Sequence, residues 1–184
     1  MKLFMINKGN FKMNWYKLAK KDVGWSCVKL NKTLSNKIIK WGKNNIEDDI
    51  LFDSDNYGRE LDSHITVMYG IIADRVDIFK KLLEKEKPIK AILGKIGYFE
   101  AEDNDCVIIK VDSSDLERIN GLVGENLNTW ENHKYKPHCT IAYVKKGEAH
   151  KYAGDTYFKG EKIVFDEIFF ENSNGEEVSV RLKG

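Results

Sequence analysis

The sequence has few of the residues that make flexible linkers, disulfide frameworks or membrane spans. Two prolines and three cysteines stand among 184 residues, and Cys27, Cys106 and Cys139 have no paired spacing. An odd number of scattered cysteines favours a reducing compartment over a disulfide-stapled fold. No apolar run is long enough to span a bilayer, and the N-terminal run is too short for a signal peptide. We therefore predict a cytoplasmic protein with no membrane partner.

A large excess of charge of either sign is also absent. Thirty basic and 29 acidic residues leave a formal net charge of +1. Domains that coat long nucleic acid usually carry a marked basic excess, because phosphate contacts need cationic side chains. The balance therefore argues against a long nucleic acid partner and leaves room for a small anionic ligand. The C-x-x-C and H-E-x-x-H patterns of zinc sites are missing too, so we predict no metal and no cofactor.

The apolar patterns that are present predict a mixed fold of strands and helices. Strands are predicted at 23–30, 64–71, 91–101, 106–112 and 138–144. Asn31 or Thr33 can cap one helix, and Ser113 or Ser114 another, because their side chains accept hydrogen bonds from the first helical turn. A further helix is predicted over 74–87.

Two of the predicted strands carry the same six-residue pattern. Residues 64–69 read HITVMY and residues 138–143 read HCTIAY, with His, Thr and Tyr at matching places. Each hexamer follows a predicted strand and helix, which indicates a diverged duplication. We predict an α+β, bilobal fold. Two lobes related by an approximate two-fold axis place antiparallel sheets against a central cleft, with the helices outside.

A single domain is predicted to contain both copies. It covers residues 1–184, with 1–22 as a peripheral N-terminal segment, and its lobes interleave around the strands 64–71 and 138–144. The C-terminal segment is predicted to form a hairpin that turns at Asn174–Gly175.

The H-x-T motifs place a histidine and a threonine on one face of a strand. Side chains two residues apart on a strand point the same way. His64 therefore lies beside Thr66, and His138 beside Thr140. The alternate positions, including the tyrosine that ends each hexamer, are predicted to face the core. Cys139 is among them and is predicted to be a buried, unreactive thiol.

Two imidazoles and two hydroxyls in one cleft suit the cleavage of a phosphodiester. A neutral imidazole can take a proton from an attacking hydroxyl, while a protonated one gives a proton to the departing oxygen. Threonine hydroxyls can donate to the non-bridging oxygens. A single histidine on a strand is usually structural, but four histidines and five threonines make two chance H-x-T matches improbable. The sequence leaves open which histidine is the base and whether water or a ribose 2′-hydroxyl attacks.

The paired motifs resemble those of the 2H phosphoesterase superfamily, whose members cleave phosphodiesters without metal. The resemblance implies that His64 and His138 form the acid–base pair and that Thr66 and Thr140 bind phosphate. Four longer stretches are similar to the phage anti-CBASS branch: SHITVMYGI, LGKIGYFEAEDNDCVIIKVDSSDLERIN, YKPHCTIAYVKKGEAHKY and IFFENSNGE. That branch degrades the cyclic di- and trinucleotide messengers of bacterial immunity. The resemblance to this branch implies that the protein hydrolyses 3′–5′ linkages in the cytoplasm of the host cell.

Three aromatic residues are candidates for binding nucleobases. Tyr98 and Phe99 end a predicted strand, at a position that the anti-CBASS resemblance makes a stacking site, and Trp25 lies on the first strand. Stacking on an aromatic ring is worth about 1–3 kcal/mol per base. The competing interpretation is that an aromatic residue in a strand is usually part of the core.

Two other functions stay open, together with the oligomeric state. One is an RNA enzyme that acts on 2′,3′-cyclic phosphates or 2′–5′ linkages, as a phosphodiesterase or in a ligase-like reaction. The other is a sponge that binds a cyclic nucleotide without cutting it, although sequestration does not need a paired acid and base. We predict a monomer or a weak homo-oligomer.

Overall fold

The computed structural model describes residues 23–52, 58–71, 76–127, 129 and 134–184. The peripheral segment predicted at 1–22 lies outside the described residues. The described residues form the strands β1 (Gly24–Lys29), β2 (His64–Ile71), β3 (Ile89–Glu100), β4 (Asn104–Asp112), β5 (His138–Lys145), β6 (Lys162–Phe165), β7 (Glu167–Glu171) and β8 (Glu177–Arg181). They also form the α-helices α1 (Lys32–Asn45), α2 (Val76–Leu83) and α3 (Ser114–Asn126). Within these ranges, no helix has the length and apolar character needed to cross a membrane.

The strands form one antiparallel sheet with two related halves. Their order is β6-β3-β4-β5-β2-β1-β7-β8. From the centre of the sheet to one edge the order is β5-β4-β3-β6, and from the centre to the other edge it is β2-β1-β7-β8. The strands of the two series correspond one to one, as a two-fold axis between β5 and β2 requires. The halves meet at one registered pair, Ile65 of β2 opposite Cys139 of β5. The predicted α+β fold with two related lobes is confirmed, and the lobes share a single sheet.

The C-terminal segment shows that this sheet is strongly curled. β7 and β8 form the predicted hairpin, and Gly175 in its turn has φ +82°, which costs glycine little. β6 pairs instead with β3, at the opposite edge of the sheet. Only Asp166 separates β6 from β7. Successive Cα atoms are only about 3.8 Å apart, so the end of β6 and the start of β7 must lie close together. The sheet therefore bends until its two halves approach each other.

The helices begin where the sequence predicts and cover one face of the sheet. The side chain of Asn31 accepts a hydrogen bond from the amide of Leu34 at 3.0 Å, and Ser113 accepts one from the amide of Leu116 at 3.1 Å. The capping residues are therefore Asn31 and not Thr33, and Ser113 and not Ser114. The apolar faces of the helices join the inward side chains of the strands in one hydrophobic core.

The two long helices pack across the join between the halves. A Cβ atom at Gly42 of α1 would lie 2.9 Å from Cγ2 of Ile141 on β5, and one at Gly124 of α3 would lie 3.2 Å from Cε of Met68 on β2. Glycine therefore lets each helix approach the H-x-T strand of the opposite half closely. This packing fixes the backbones of the two motif strands relative to each other.

A β-bulge follows each H-x-T motif. The register with β1 leaves Val67 without a cross-strand partner, and the register with β4 does the same for Ile141. An extra residue in one strand reverses the faces of the residues that follow it. The prediction that Tyr69 and Tyr143 face the core is therefore wrong. Both are half-buried and lie on the H-x-T face, outside the hydrophobic core.

The carbonyl oxygens of the two bulges accept hydrogen bonds from outside the strand ladders. Asn120 Nδ2, on α3, donates to Val67 O at 2.7 Å. The amide of Glu60 donates to Ile141 O at 2.9 Å. The bulges that shape the two motif strands are thus held by contacts with other parts of the chain.

We expect Asn120→Ala to lower the free energy of unfolding by about 1–3 kcal/mol, because the carbonyl of Val67 loses its donor in a partly buried site. The measurement is urea denaturation. Asn126→Ala is the matched control, since Asn126 makes the same kind of bond, to Leu122 O at 2.8 Å, at an exposed place. It should cost less than about 0.5 kcal/mol. Equal losses in the two variants would contradict this account of the bulge.

Candidate active site

The registered pair Ile65–Cys139, which joins the two halves of the sheet, also sets the arrangement of the H-x-T residues. In an antiparallel pair, residues on either side of a registered pair face each other across the strands. His64 of β2 therefore lies across from Thr140 of β5, and Thr66 across from His138. The two histidines occupy a diagonal, for which about 7–8 Å between backbones is typical. A phosphate group fits between side chains at that spacing.

Each imidazole is oriented by the same hydrogen bond. Nδ1 of His64 lies 2.7 Å from the carbonyl oxygen of Asp62, and Nδ1 of His138 lies 2.7 Å from that of Lys136. A carbonyl oxygen can only accept, so both Nδ1 atoms carry a proton and donate it. Nε2 of each ring is then the atom that takes up or releases a further proton. Either imidazole can serve as an acid or as a base.

Cysteine side chains lie near both threonines without being nucleophiles. Sγ of Cys106 is 3.7 Å from Oγ1 of Thr140, and Cys27 is the β1 partner of Thr66. Burial raises the pKa of Cys27 and of Cys106 to about 12, so both remain thiols at neutral pH. Cys139 lies in the core, and burial raises its pKa to about 12 as well. The predicted burial of Cys139 is confirmed.

Two of the three aromatic candidates touch the imidazoles. The ring centroids of Trp25 and His64 are 5.1 Å apart, and those of Phe99 and His138 are 4.8 Å apart. Tyr98 packs against the hydrophobic core instead, because neighbouring residues of a strand point to opposite faces. The structure thus brings one aromatic ring to each end of the cleft, on β1 and on β3.

Sequence reasoning missed two lysines that lie in register with the imidazoles. Lys29 of β1 is the partner of His64, and Lys110 of β4 is the partner of His138. Partners in an antiparallel pair share a face, so both lysines point to the H-x-T side of the sheet. A signal was available, since each lysine stands directly between two apolar residues, in VKL and in IKV.

The remaining histidines are placed differently. Nδ1 of His150 makes a short contact of 2.5 Å with the carbonyl oxygen of Gly147, in a 3-10 turn that runs from Ala149 to Tyr152. Ala149 in that turn is buried in the hydrophobic core, so the turn covers the core side of the sheet. His133 lies outside the described residues.

A known family matches the part of the chain that contains this site. The family model described as the 2′-5′ RNA ligase superfamily covers residues 50–165, which include both H-x-T motifs. The chain belongs to the 2′-5′ RNA ligase superfamily. This superfamily of 2H phosphoesterases contains phosphodiesterase-type and ligase-type enzymes. The resemblance inferred from the motifs is therefore confirmed at the level of the superfamily.

Several solved structures share the fold of this chain at low sequence identity. LigT of E. coli complexed with phosphate has a TM-score of 0.60 at 12% identity, covering 88% of this chain and 95% of LigT. The protein TT0787 of Thermus thermophilus has a TM-score of 0.57 at 14% identity, with the same coverages of 88% and 95%. Usb1 of Kluyveromyces marxianus has a TM-score of 0.56 at 10% identity, covering 89% and 99%. Identities this low show the fold alone. No curated protein matches the chain in sequence.

Proposed function

We propose that the protein is a metal-independent phosphodiesterase that opens the 3′–5′ linkages of cyclic di- and trinucleotide immune signals. The observation that carries the proposal is the matched pair of imidazoles. Each is held through Nδ1 by the carbonyl two residues before it. Each also has a threonine beside it on its own strand and another across the join. One site therefore contains an acid, a base and two hydroxyl donors.

The reaction that we propose starts from the ribose 2′-hydroxyl next to the scissile phosphate. One imidazole takes the proton of this hydroxyl through Nε2, and O2′ forms a bond to phosphorus. The bond from phosphorus to O5′ breaks, and the other imidazole, protonated at the start, gives its Nε2 proton to O5′. Thr66 and Thr140 donate to the non-bridging oxygens, where negative charge increases. The product is a linear nucleotide with a 2′,3′-cyclic phosphate, which water can open to a 3′-phosphate.

Three observations support a small nucleotide as the substrate. The ring of Trp25 lies beside His64, and the ring of Phe99 lies beside His138. One base on each side of the scissile phosphate therefore has a stacking partner. Solved relatives in the fold bind comparable groups. LigT of E. coli has been crystallised with 3′-AMP, and Usb1 of Kluyveromyces marxianus with uridine monophosphate. The net charge of +1 gives no general attraction for a long polyanion.

Replacing Phe99 or Trp25 with alanine should raise KM for a cyclic dinucleotide about tenfold with a smaller effect on kcat, because a stacked base contributes about 1–3 kcal/mol. Steady-state kinetics on purified variants provide the test. Tyr157→Ala is the control, since Tyr157 is 56% exposed and its ring makes an edge-to-face contact with Phe158. An unchanged KM in both Phe99→Ala and Trp25→Ala would remove the stacking role.

The strongest alternative is an RNA enzyme that acts on 2′,3′-cyclic phosphates or 2′–5′ linkages. The specific observation in its favour is a group of lysines at the His138 end of the cleft. Lys134 and Lys136 precede this histidine, and Lys110 is its partner in register. Such a group can bind successive phosphates of an RNA strand as well as those of a small cyclic nucleotide.

One experiment separates these functions. The purified protein is incubated in excess chelator with a panel of cyclic di- and trinucleotides and with an RNA oligomer ending in a 2′,3′-cyclic phosphate, and the products are resolved by chromatography and mass. We expect linear products from the cyclic nucleotides, with ends that identify the nucleophile. Cleavage of the RNA end alone would establish the alternative. Tight binding without any product would identify a sponge, and loss of turnover with chelator would contradict the metal-independent mechanism.

A further inference from the structure

The two halves differ in the surroundings of one pair of equivalent lysines. Lys29 and Lys110 occupy the same position in the duplicated unit, since each is the cross-strand partner of the histidine in its own half. Both point to the H-x-T face. If the duplication had kept the same surroundings, the two ammonium groups would play the same part in the site.

Lys29 is engaged by its own half. Its Nζ lies 2.6 Å from a carboxylate oxygen of Glu177 on β8 and 3.9 Å from one of Asp62. It also stands 4.7 Å from the centre of the Phe169 ring. Two carboxylates neutralise this ammonium, so it offers little attraction to a phosphate.

Lys110 has no ion-pair or hydrogen-bond partner for its ammonium among the residues that the structure describes. Its side chain crosses the face of β3 at Gly97, where a Cβ atom would lie 2.7 Å from Cε of Lys110. A Cβ atom at Gly94 would lie 3.0 Å from the carbonyl oxygen of Lys110. Gly97, two residues before Phe99, thus leaves room for this side chain to cross β3, and Gly94 leaves room for the backbone of Lys110.

The residues that lead into the two motif strands reinforce the difference in charge. Before His64 they are Glu60 and Asp62, and at the equivalent places before His138 they are Lys134 and Lys136. Among the described residues, no carboxylate forms an ion pair with Lys110, Lys134 or Lys136 at the His138 end of the cleft, whereas carboxylates lie at the His64 end. This distribution of charge favours a second phosphate on the His138 side of the scissile phosphate.

We propose that Lys110 forms a second phosphate site, which holds a phosphodiester next to the one cleaved between His64 and His138. This inference rests on the proposed function and narrows its substrate class to nucleotides in which a second phosphate follows the scissile one, as in a cyclic di- or trinucleotide. Lys110 is a binding residue in this scheme and does not touch the reacting atoms. Lys110 thereby fixes the orientation of the cyclic nucleotide relative to the two histidines.

The test compares two substrates that share the scissile linkage and differ in the second phosphate. Cyclic di-AMP contains two 3′–5′ phosphodiesters, and ApA contains one. In Lys110→Met, the ratio of kcat/KM for cyclic di-AMP to kcat/KM for ApA should fall about tenfold, as expected for the loss of one hydrogen bond to a charged group. Lys110→Arg should restore most of the ratio, because arginine keeps the charge.

Two further variants make the test specific. Lys29→Met is the matched control at the equivalent position, and it should leave the ratio within about twofold of the wild type, since its charge is already neutralised. Gly97→Ala should also lower the ratio, as Lys110→Met does, because the new methyl group displaces the end of the Lys110 side chain. Combining Gly97→Ala with Lys110→Met should add little to Lys110→Met alone.

An unchanged ratio in Lys110→Met, or an equal fall in Lys29→Met, would overturn the second phosphate site. If the wild-type protein cleaves neither substrate, the proposed function fails, and calorimetric binding of cyclic di-AMP then decides the inference separately. A dissociation constant about tenfold higher in Lys110→Met than in the wild type would support the site. Equal dissociation constants, or no binding by the wild type, would overturn it.

Discussion

Replacing either His64 or His138 with alanine should reduce kcat on a cyclic dinucleotide about 10³-fold, within the range of about 10²–10⁴ for a positioned acid or base. Both imidazoles are held by Nδ1 bonds of 2.7 Å to a carbonyl oxygen, so each presents Nε2 in a fixed direction. Removing one ring leaves either the attacking hydroxyl without a base or the departing oxygen without an acid. Single-turnover kinetics measure this loss apart from binding.

The double variant should be little worse than the poorer single variant, because the proposed mechanism has the two imidazoles serve the same reaction as a unit. His150→Ala is the matched control, since that imidazole also contacts a carbonyl through Nδ1 but belongs to a turn on the core side of the sheet. It should keep at least half of the wild-type kcat. A variant at His64 or His138 that retains full activity would remove that residue from the mechanism.

Thr66→Val and Thr140→Val should each lower kcat about 10²-fold to 10³-fold, the range for deleting a donor to a developing oxyanion. Valine has nearly the shape of threonine and keeps the strand, so the change removes the hydroxyl. At Thr140 the Cys106 thiol is placed to donate to Oγ1 at 3.7 Å. The proton of the threonine hydroxyl then remains available for the phosphate. Steady-state kinetics with cyclic dinucleotide and circular dichroism of the folded variants give the comparison.

Serine at these positions provides the rescue, because it restores the hydroxyl without the methyl group. Thr66→Ser and Thr140→Ser should recover activity to within about tenfold of the wild type. Thr156→Val, at an exposed position, should change kcat less than twofold. The donor role would be contradicted if serine failed to rescue where valine had inactivated the protein, provided that both variants are folded.

Much of the local structure is readable from the sequence because its causes are local. Strand β2 begins at His64 and ends at Ile71, as its apolar pattern predicts. The helix caps at Asn31 and Ser113 follow from short polar side chains that precede apolar periodicity. Helix α2 is shorter than predicted and ends at Leu83, before the turn that leads to Pro88. The side-by-side placement of histidine and threonine follows from the alternation of a strand alone.

The bulges show where this local reasoning fails. Alternation assigns Tyr69 and Tyr143 to the core, but an unpaired residue at Val67 and at Ile141 reverses the faces beyond it. Nothing in the hexamers marks the bulge, because it exists only in register with a second strand. The contacts that hold the two bulges, from Asn120 and from the amide of Glu60, come from residues far away in the chain.

The sequence by itself determined the elements, the duplication and the four residues of the H-x-T motifs, because each depends on spacing within a few residues. Only the tertiary structure decided that the histidine of one half faces the threonine of the other, since this follows from the pair that joins β2 to β5. It also selected Phe99 over Tyr98 beside an imidazole and placed Lys110 across Gly97. Register between distant strands is set by the whole core, so no short stretch of sequence contains it.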